Sequence, residues 1–412
     1  MKAPITNRRF LIEVATTTLA RLHNDAHMEA ITKSVPGVAH VNRDIVVNAL
    51  STALDWARLE REAAPVAAAQ EAVLSATPEP YIPSNQALSL IQTAFDEYHK
   101  SKKESGQDMV EVPFDPHDPG WLTIAFEKLK ALTRGKRTFI KHTSTASFRQ
   151  ALPENAVVAL FGDWGTGEPT AQRVMDQIKL KQPTHAIHLG DVSYSGTPYE
   201  DKKHFLDIID RHGPSQPPCK YFSLNGNHDM YSGGYGYFDS ILPAFGQEAS
   251  YFNLQNQHWQ LIGVDSSYED YGLQDPQHEW LSAQLDAQGP KSILMSHHQL
   301  FSPYESRATD RTLFKKTQNL LLKIHAWFWG HEHKCIILGN RLGIKPRCIG
   351  HGAMPSSLPY GAPSIPVDKV DERPGPDGAA LHGFALLRFA GARIDVSYID
   401  EFGQQFFAEQ FS

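Results

Sequence analysis

Five apolar runs of strand length, each running straight into a polar, glycine-bearing turn, set the limits on how this chain folds. They are VVALFGD at 157–163, HAIHLGD at 185–191, CKYFSLNGNHD at 219–229, KSILMSHH at 291–298 and AWFWGHEH at 326–333. Apolar runs of this length suit strands buried on both faces, and helical patterns at 170–181 and from Thr309 to Ile324 supply covering elements between them. The alternation predicts a layered α/β architecture. Stretches 258–265, 384–389 and 392–399 read as further strands, with Gly391 where a tight hairpin needs it. Between 353 and 380 the chain is rich in Pro and Gly and reads as a long ordered loop or lid.

The first part of the chain has a different period. Val46, Leu50, Ala53 and Ala57 keep helical spacing, with Ala49, Trp56 and Leu59 widening the stripe. Pro65, Pro78, Pro80 and Pro83 punctuate the next stretch, and Ser84 is positioned to cap a helix whose Leu88, Ile91, Phe95 and Tyr98 share one face. Such faces demand burial, so the region is expected to be packed. The polar run KSKKESGQD at 100–108 reads as an exposed connection, and a short helix is expected from Leu122 to Leu132 before Gly135 ends it. Three regions result: a helical accessory region at 1–105, a connecting segment with a short helix at 106–154, and the layered region at 155–412.

Composition excludes several classes of function. A formal net charge of -7 leaves no electrostatic footprint for nucleic acid. No stretch approaches the roughly 18 apolar residues of a membrane span. The opening MKAPITNRRFLIEVATTTLARL is basic and then partly apolar, but Glu13 and the threonines interrupt any signal-peptide core. Cys219, Cys335 and Cys348 form no CxxC pair and no disulfide framework, so a reducing, cytoplasmic setting is the expectation.

The turns after the five strand-like runs carry Asp, Asp, Asn-His, His-His and His-Glu-His. Strand ends are rigid and the turns after them are exposed, so groups placed there converge at little entropic cost. Among these groups, two carboxylates, an Asn carbonyl and three imidazoles suit a pair of metal ions. A carboxylate bridge offsets the repulsion of the ions, and open positions remain for water and substrate oxygens. A hydroxide held by such a pair is a strong nucleophile near neutral pH, and the ions neutralise charge on a phosphoryl group.

GDWG, GDVSY, GNHD, the SHHQ histidines and GHEH resemble the ordered motifs of the calcineurin-like metallophosphoesterase superfamily, over roughly 155–400. The resemblance implies a central β-sandwich flanked by helices. That superfamily's first motif is commonly Asp-x-His, and here Gly165 stands at the His position. Tyr194 comes three residues after Asp191, where the purple acid phosphatase branch places a ferric-binding tyrosinate. By the resemblance Asp163, Asp191, Tyr194 and His333 hold a first metal, Asp191 bridges, and Asn227, His297 and His331 complete the second. His228 becomes the general acid, or a stabiliser of transferring charge. The implied centre is Fe(III) with a divalent Fe, Zn or Mn, and an acid-shifted optimum.

His298, Tyr235, Arg307 and His351 are expected to contact substrate, with Arg311 a second candidate phosphate clamp and Tyr231 and Ser232 in the same glycine-rich run as Tyr235. His297 and His298 should point differently on a strand, so only one is expected to ligate. The expected activity is hydrolysis of small-molecule phosphate esters, monoesters first. Phosphodiester hydrolysis, cyclic nucleotides included, and a non-enzymatic scaffold on a retired hydrolase domain remain as alternatives. Asp191-Val192-Ser193-Tyr194 lacks the Asp-Arg-Gly signature of protein Ser/Thr phosphatases, and Gly165 with the acidic balance disfavours a nuclease. The helical region is expected to shape access, recognise a partner or mediate homo-oligomer contacts.

Overall fold

The computed structural model describes residues 8–24, 43–62, 81–104, 124–126, 128–214, 218–286, 289–304, 312–376 and 378–412. They divide into two units, 1–136 with 231–233, and 137–230 with 234–412.

The first unit is helical. Helices Arg8–Leu22, Arg43–Glu62 and Gln86–Glu104 bury one face each in a shared cluster that includes Leu11, Val14, Val46, Leu50, Leu88, Ile91 and Phe95. Arg43 donates from Nε to the Leu22 carbonyl at 2.6 Å, satisfying an acceptor at the open end of the first helix. Two local expectations need correction. Asn85, not Ser84, caps the third helix, its Oδ1 accepting from the Ala87 and Leu88 amides at 2.9 and 3.4 Å. Trp56 is 60% exposed, because the buried stripe of its helix turns through Leu54 instead. The Leu59 side chain lies outside the described residues.

The second unit contains fourteen strands among the described residues. They are β1 (Arg149–Ala151), β2 (Val157–Phe161), β3 (His185–His188), β4 (Lys220–Ser223), β5 (Phe252–Gln255), β6 (Trp259–Gly263) and β7 (Lys291–Ser296), then β8 (Ile324–Trp329), β9 (Cys335–Leu338), β10 (Lys345–Ile349), β11 (Val367–Val370), β12 (Gly383–Ala390), β13 (Arg393–Asp400) and β14 (Gln405–Phe411). Six form one sheet in the order β14-β13-β12-β2-β3-β4, and eight form another in the order β1-β5-β6-β7-β8-β10-β9-β11. β11 and an isolated Pro374–Ala380 bridge lie inside 353–380, giving that stretch more regular structure than its composition suggests.

Alternation along the strands builds the layers. In β7, Ile293 and Met295 join one apolar cluster, while Leu294 faces another that holds Trp280 and Leu281 from helix Gln277–Asp286. In β8, Ala326 and Phe328 take the first face, and Trp327 and Trp329 the second. The first cluster also receives Leu160 and Ile187 from β2 and β3, so it fills the space between the sheets. Helix Pro169–Leu180 covers the outer face of the six-stranded sheet with Val174, Met175 and Ile178. The result is a two-sheet α/β sandwich flanked by helices.

Register decides where the turns meet. In the six-stranded sheet Phe161 pairs with His188 and His188 with Ser223, all parallel. In the other sheet Ser296 pairs with Trp329, also parallel. The carboxyl ends of these strands are therefore level, and the turns carrying Asp163, Asp191, Asn227, His297 and His331 leave from common edges.

Candidate metal centre

Asp163 comes after β2 at φ 55° and Asp191 after β3 at φ 53°; His331 and His333, after β8, stand at φ 66° and 51°. Left-handed backbone at non-glycine residues costs on the order of 1–3 kcal/mol each, and persists only where the surroundings enforce it. Here hydrogen bonds do so. The Asp163 amide donates to the Gly190 carbonyl at 3.1 Å, and the Asp163 carbonyl accepts from the Ala353 and Met354 amides at 2.9 Å. The His331 amide donates to Asp163 Oδ2 at 2.9 Å, tying a turn of one sheet to a carboxylate of the other.

The side chains gather in two adjoining groups. Asp163, Asp191 and His333 bring their donor atoms within 4.8 Å of one another, with His333 Nε2 3.5 Å from Asp163 Oδ1. In the second group, Asn227 Oδ1 lies 3.0 Å from His297 Nε2 and 3.0 Å from His331 Nδ1, and the two imidazole nitrogens are 3.2 Å apart. Asp191 joins the groups, its Oδ1 3.3 Å from His297 Nε2. His297 Nδ1 donates to the Leu189 carbonyl at 3.0 Å, which leaves Nε2 as the outward donor atom.

His228 donates from Nδ1 to the Tyr194 carbonyl at 2.6 Å, and its Nε2 stands 3.9 Å from Asp191 Oδ2. Tyr194 is buried beside it. Tyr235 is half-buried within the turn that precedes Tyr237. His298 is fully buried beneath the Tyr271 ring, centroid to centroid 3.7 Å, and one of its ring nitrogens lies within 4.8 Å of those of His297 and His331. His351, after β10, belongs to neither group; its imidazole is buried, and burial pulls its pKa down to about 4. Arg307 and Arg311 lie outside the described residues.

The donor set fits cations. Burial pushes the Asp163 carboxyl well above the usual carboxylate range, the His297 imidazole opposing that shift and Asp191 adding to it. Burial also works against the Asp191 carboxylate, yet His297 and His228 outweigh it and hold the group low. Asp191 Oδ2 is buried without a hydrogen-bond partner. Buried carboxylates and an oxygen of this kind are stable beside positive charge and costly without it.

Gly165 has a steric explanation: a Cβ there would lie 1.7 Å from the Val192 carbonyl oxygen, so the position of the superfamily's common histidine admits no side chain. Three further residues support the site. Asp229 accepts from the Val192 amide at 2.9 Å and the Gly226 amide at 2.7 Å, clamping the turns that carry Asp191 and Asn227. Glu332 accepts from Trp329 Nε1 at 3.0 Å and from the Ser302 hydroxyl, fixing the turn between His331 and His333. Tyr271 places its hydroxyl 2.5 Å from His331 Nε2. Asp229 and Glu332 sit inside motifs visible in the sequence, whereas nothing local marks Tyr271.

Two level sheet edges with converging carboxylates and imidazoles define the class: an α/β sandwich with a candidate dimetal centre. Residues 156–335 match the calcineurin-like phosphoesterase family model. No curated protein matches the sequence. Among solved structures, GAP50, the anchor in the inner membrane complex of Plasmodium, aligns at 13% identity and TM-score 0.46, over 63% of this chain and 89% of that one. A dimetal phosphatase from Danio rerio aligns at 10% identity and TM-score 0.43, over 62% and 98%. Vps29 from Entamoeba histolytica aligns at 12% identity and TM-score 0.31, over 62% and 99%.

Proposed function

We propose that this protein hydrolyses small phosphate esters, monoesters ahead of diesters, at a centre of two metal ions bridged by Asp191. The observation that carries the reading is the position of Asp191, which shares one donor group with Asp163 and His333 and lies 3.3 Å from His297 of the other. In this reading Asp163, Asp191, Tyr194 and His333 hold Fe(III). Asp191, Asn227, His297 and His331 hold a divalent Fe, Zn or Mn. When bound, the ions would supply a water acidified for attack and positive charge against the phosphoryl oxygens.

The protein's own residues do the rest. The strained turns hold the donors in place before substrate arrives, so little reorganisation accompanies the reaction. His228, its ring fixed by the Tyr194 carbonyl, presents Nε2 beside Asp191 and hands a proton to the departing ester oxygen. Tyr235 is the half-buried side chain of the neighbouring turn assigned to substrate contact. The helical unit is assigned to access, partner recognition or self-association, and the setting to the cytoplasm. Among the described residues no helix is long and apolar enough to cross a membrane.

The test is turnover of p-nitrophenyl phosphate and of its bis-ester by protein of known metal content. The proposal expects metal-dependent cleavage, faster on the monoester, and a visible tyrosinate-to-iron absorption band in the oxidised sample. A metal-replete, folded sample inert toward both esters would end it, and a colourless iron-loaded sample would remove Tyr194 from the ligand set.

A further inference from the structure

His298 carries an arrangement that a substrate contact does not explain. Its Nδ1 lies 2.9 Å from the Ser266 carbonyl oxygen and 3.1 Å from Ser266 Oγ. A carbonyl only accepts, so Nδ1 bears the proton and Nε2 bears the lone pair. That Nε2 is buried without a hydrogen-bond partner. The Asp270 carboxylate oxygen at 3.5 Å is itself an electron-pair donor, so it cannot satisfy the lone pair; both atoms are suited to a cation.

The rings form a triangle. Centroids of His297 and His298 are 5.0 Å apart, His298 and His331 4.8 Å, and His297 and His331 5.1 Å. One nitrogen from each lies within 4.8 Å of the others. Tyr271 closes this side, its ring tilted at 40° against His298 and its hydroxyl on His331 Nε2. An unpaired, water-shielded acceptor on a ring packed against two other imidazoles is the form a histidine takes when a metal is its partner.

We propose that His298 is a third imidazole ligand of the second metal position, beside His297 and His331. The inference rests on the dimetal reading above and deepens it. Three imidazoles make this position nitrogen-rich, which selects Zn²⁺ or a neighbouring transition cation over Mg²⁺ and Mn²⁺. The serine-backed tautomer and the Tyr271 lid belong to the same device, one orienting the lone pair and the other excluding water.

Calorimetric titration of metal-stripped protein with Zn²⁺ and Mn²⁺, for the parent and for His298→Gln, tests it, with circular dichroism checking the fold. Zinc affinity at one of the two sites is expected to fall about 10–100-fold in the variant, with a smaller change for Mn²⁺. A folded variant that binds zinc as tightly as the parent overturns the inference and returns His298 to a substrate or packing role. Should the variant not fold, the parent loaded with Co²⁺ decides the matter by NMR. The His298 Nδ1 proton then joins the ring N–H protons of His297, His331 and His333 among the strongly shifted exchangeable signals, and its absence from that set overturns the proposal. Neither readout uses an ester. A parent that binds both ions but cleaves no phosphate ester therefore sinks the hydrolase reading alone.

Discussion

The two sheets bring different chemistry to one edge. The turns of the six-stranded sheet offer oxygen from Asp163, Asp191 and Asn227, to which the proposed function adds Tyr194. Those of the eight-stranded sheet offer nitrogen: His297, His298, His331 and His333. Hard oxygen donors suit a high-valent or strongly Lewis-acidic ion, and imidazoles suit borderline divalent cations. Each half reaches across, since Asp163 accepts the His331 amide at 2.9 Å and Asp191 approaches His297 at 3.3 Å. The meeting of two strand systems thus sets oxygen donors beside nitrogen donors, which is the basis of the proposed asymmetric metal pair. The sheets also explain the strain: every left-handed ligand lies where a strand must turn sharply to keep its donor on the shared edge.

Removing the group common to both halves gives the largest expected effect. Asp191→Asn should reduce turnover to background and lower the bound metal measured by elemental analysis; retention of both ions with activity would separate the halves and break the comparison. Next comes His228→Ala, which leaves both donor sets intact. It should keep its metal and lose about 10²–10⁴-fold in kcat, read by steady-state kinetics across pH; parental turnover throughout would remove His228 from proton transfer.

Acid should affect the fold outside the donor sets more mildly. Burial, assisted by Lys220, lowers the His185 pKa to about 4, and burial lowers that of His351 to about 4. Both fall below the ordinary histidine value of about 6.5. The unfolded chain thus binds more protons between those values. This source of stability is complete above pH 6.5 and is lost as pH falls toward 4. The loss is on the order of 2 kcal/mol per imidazole at pH 5, visible as a falling Tm in metal-free protein. A Tm flat from pH 7 to 5 would contradict the burial of these rings as neutral groups.

Much of the fold is legible because it is local in sequence. β2, β3, β4, β7 and β8 each announce themselves as an apolar run with its polar turn attached, and the helical stripe through Val46, Leu50, Ala53 and Ala57 is buried as its spacing implies. The hidden part depends on pairing across the chain. β1, only three residues long, acquires its state from β5, and β14 from β13, through hydrogen bonds no local pattern encodes. Trp56 shows the limit of reading a stripe by side-chain character alone, and Asn85 shows that two adjacent capping residues are not distinguished by type. Tyr271 reaches His331 from a loop sixty residues earlier, so its place is a fact of tertiary structure. Asp229 is in view within GNHD, but its role as a clamp depends on two amides brought beside it by β3 and β4.

Anomalous diffraction from metal-loaded crystals tests the central claim most directly. Two peaks should flank the Asp191 carboxylate, one against Asp163 and His333, the other against Asn227, His297 and His331. A fully loaded crystal with a single peak, or with peaks away from Asp191, would contradict a centre assembled from the two sheet edges.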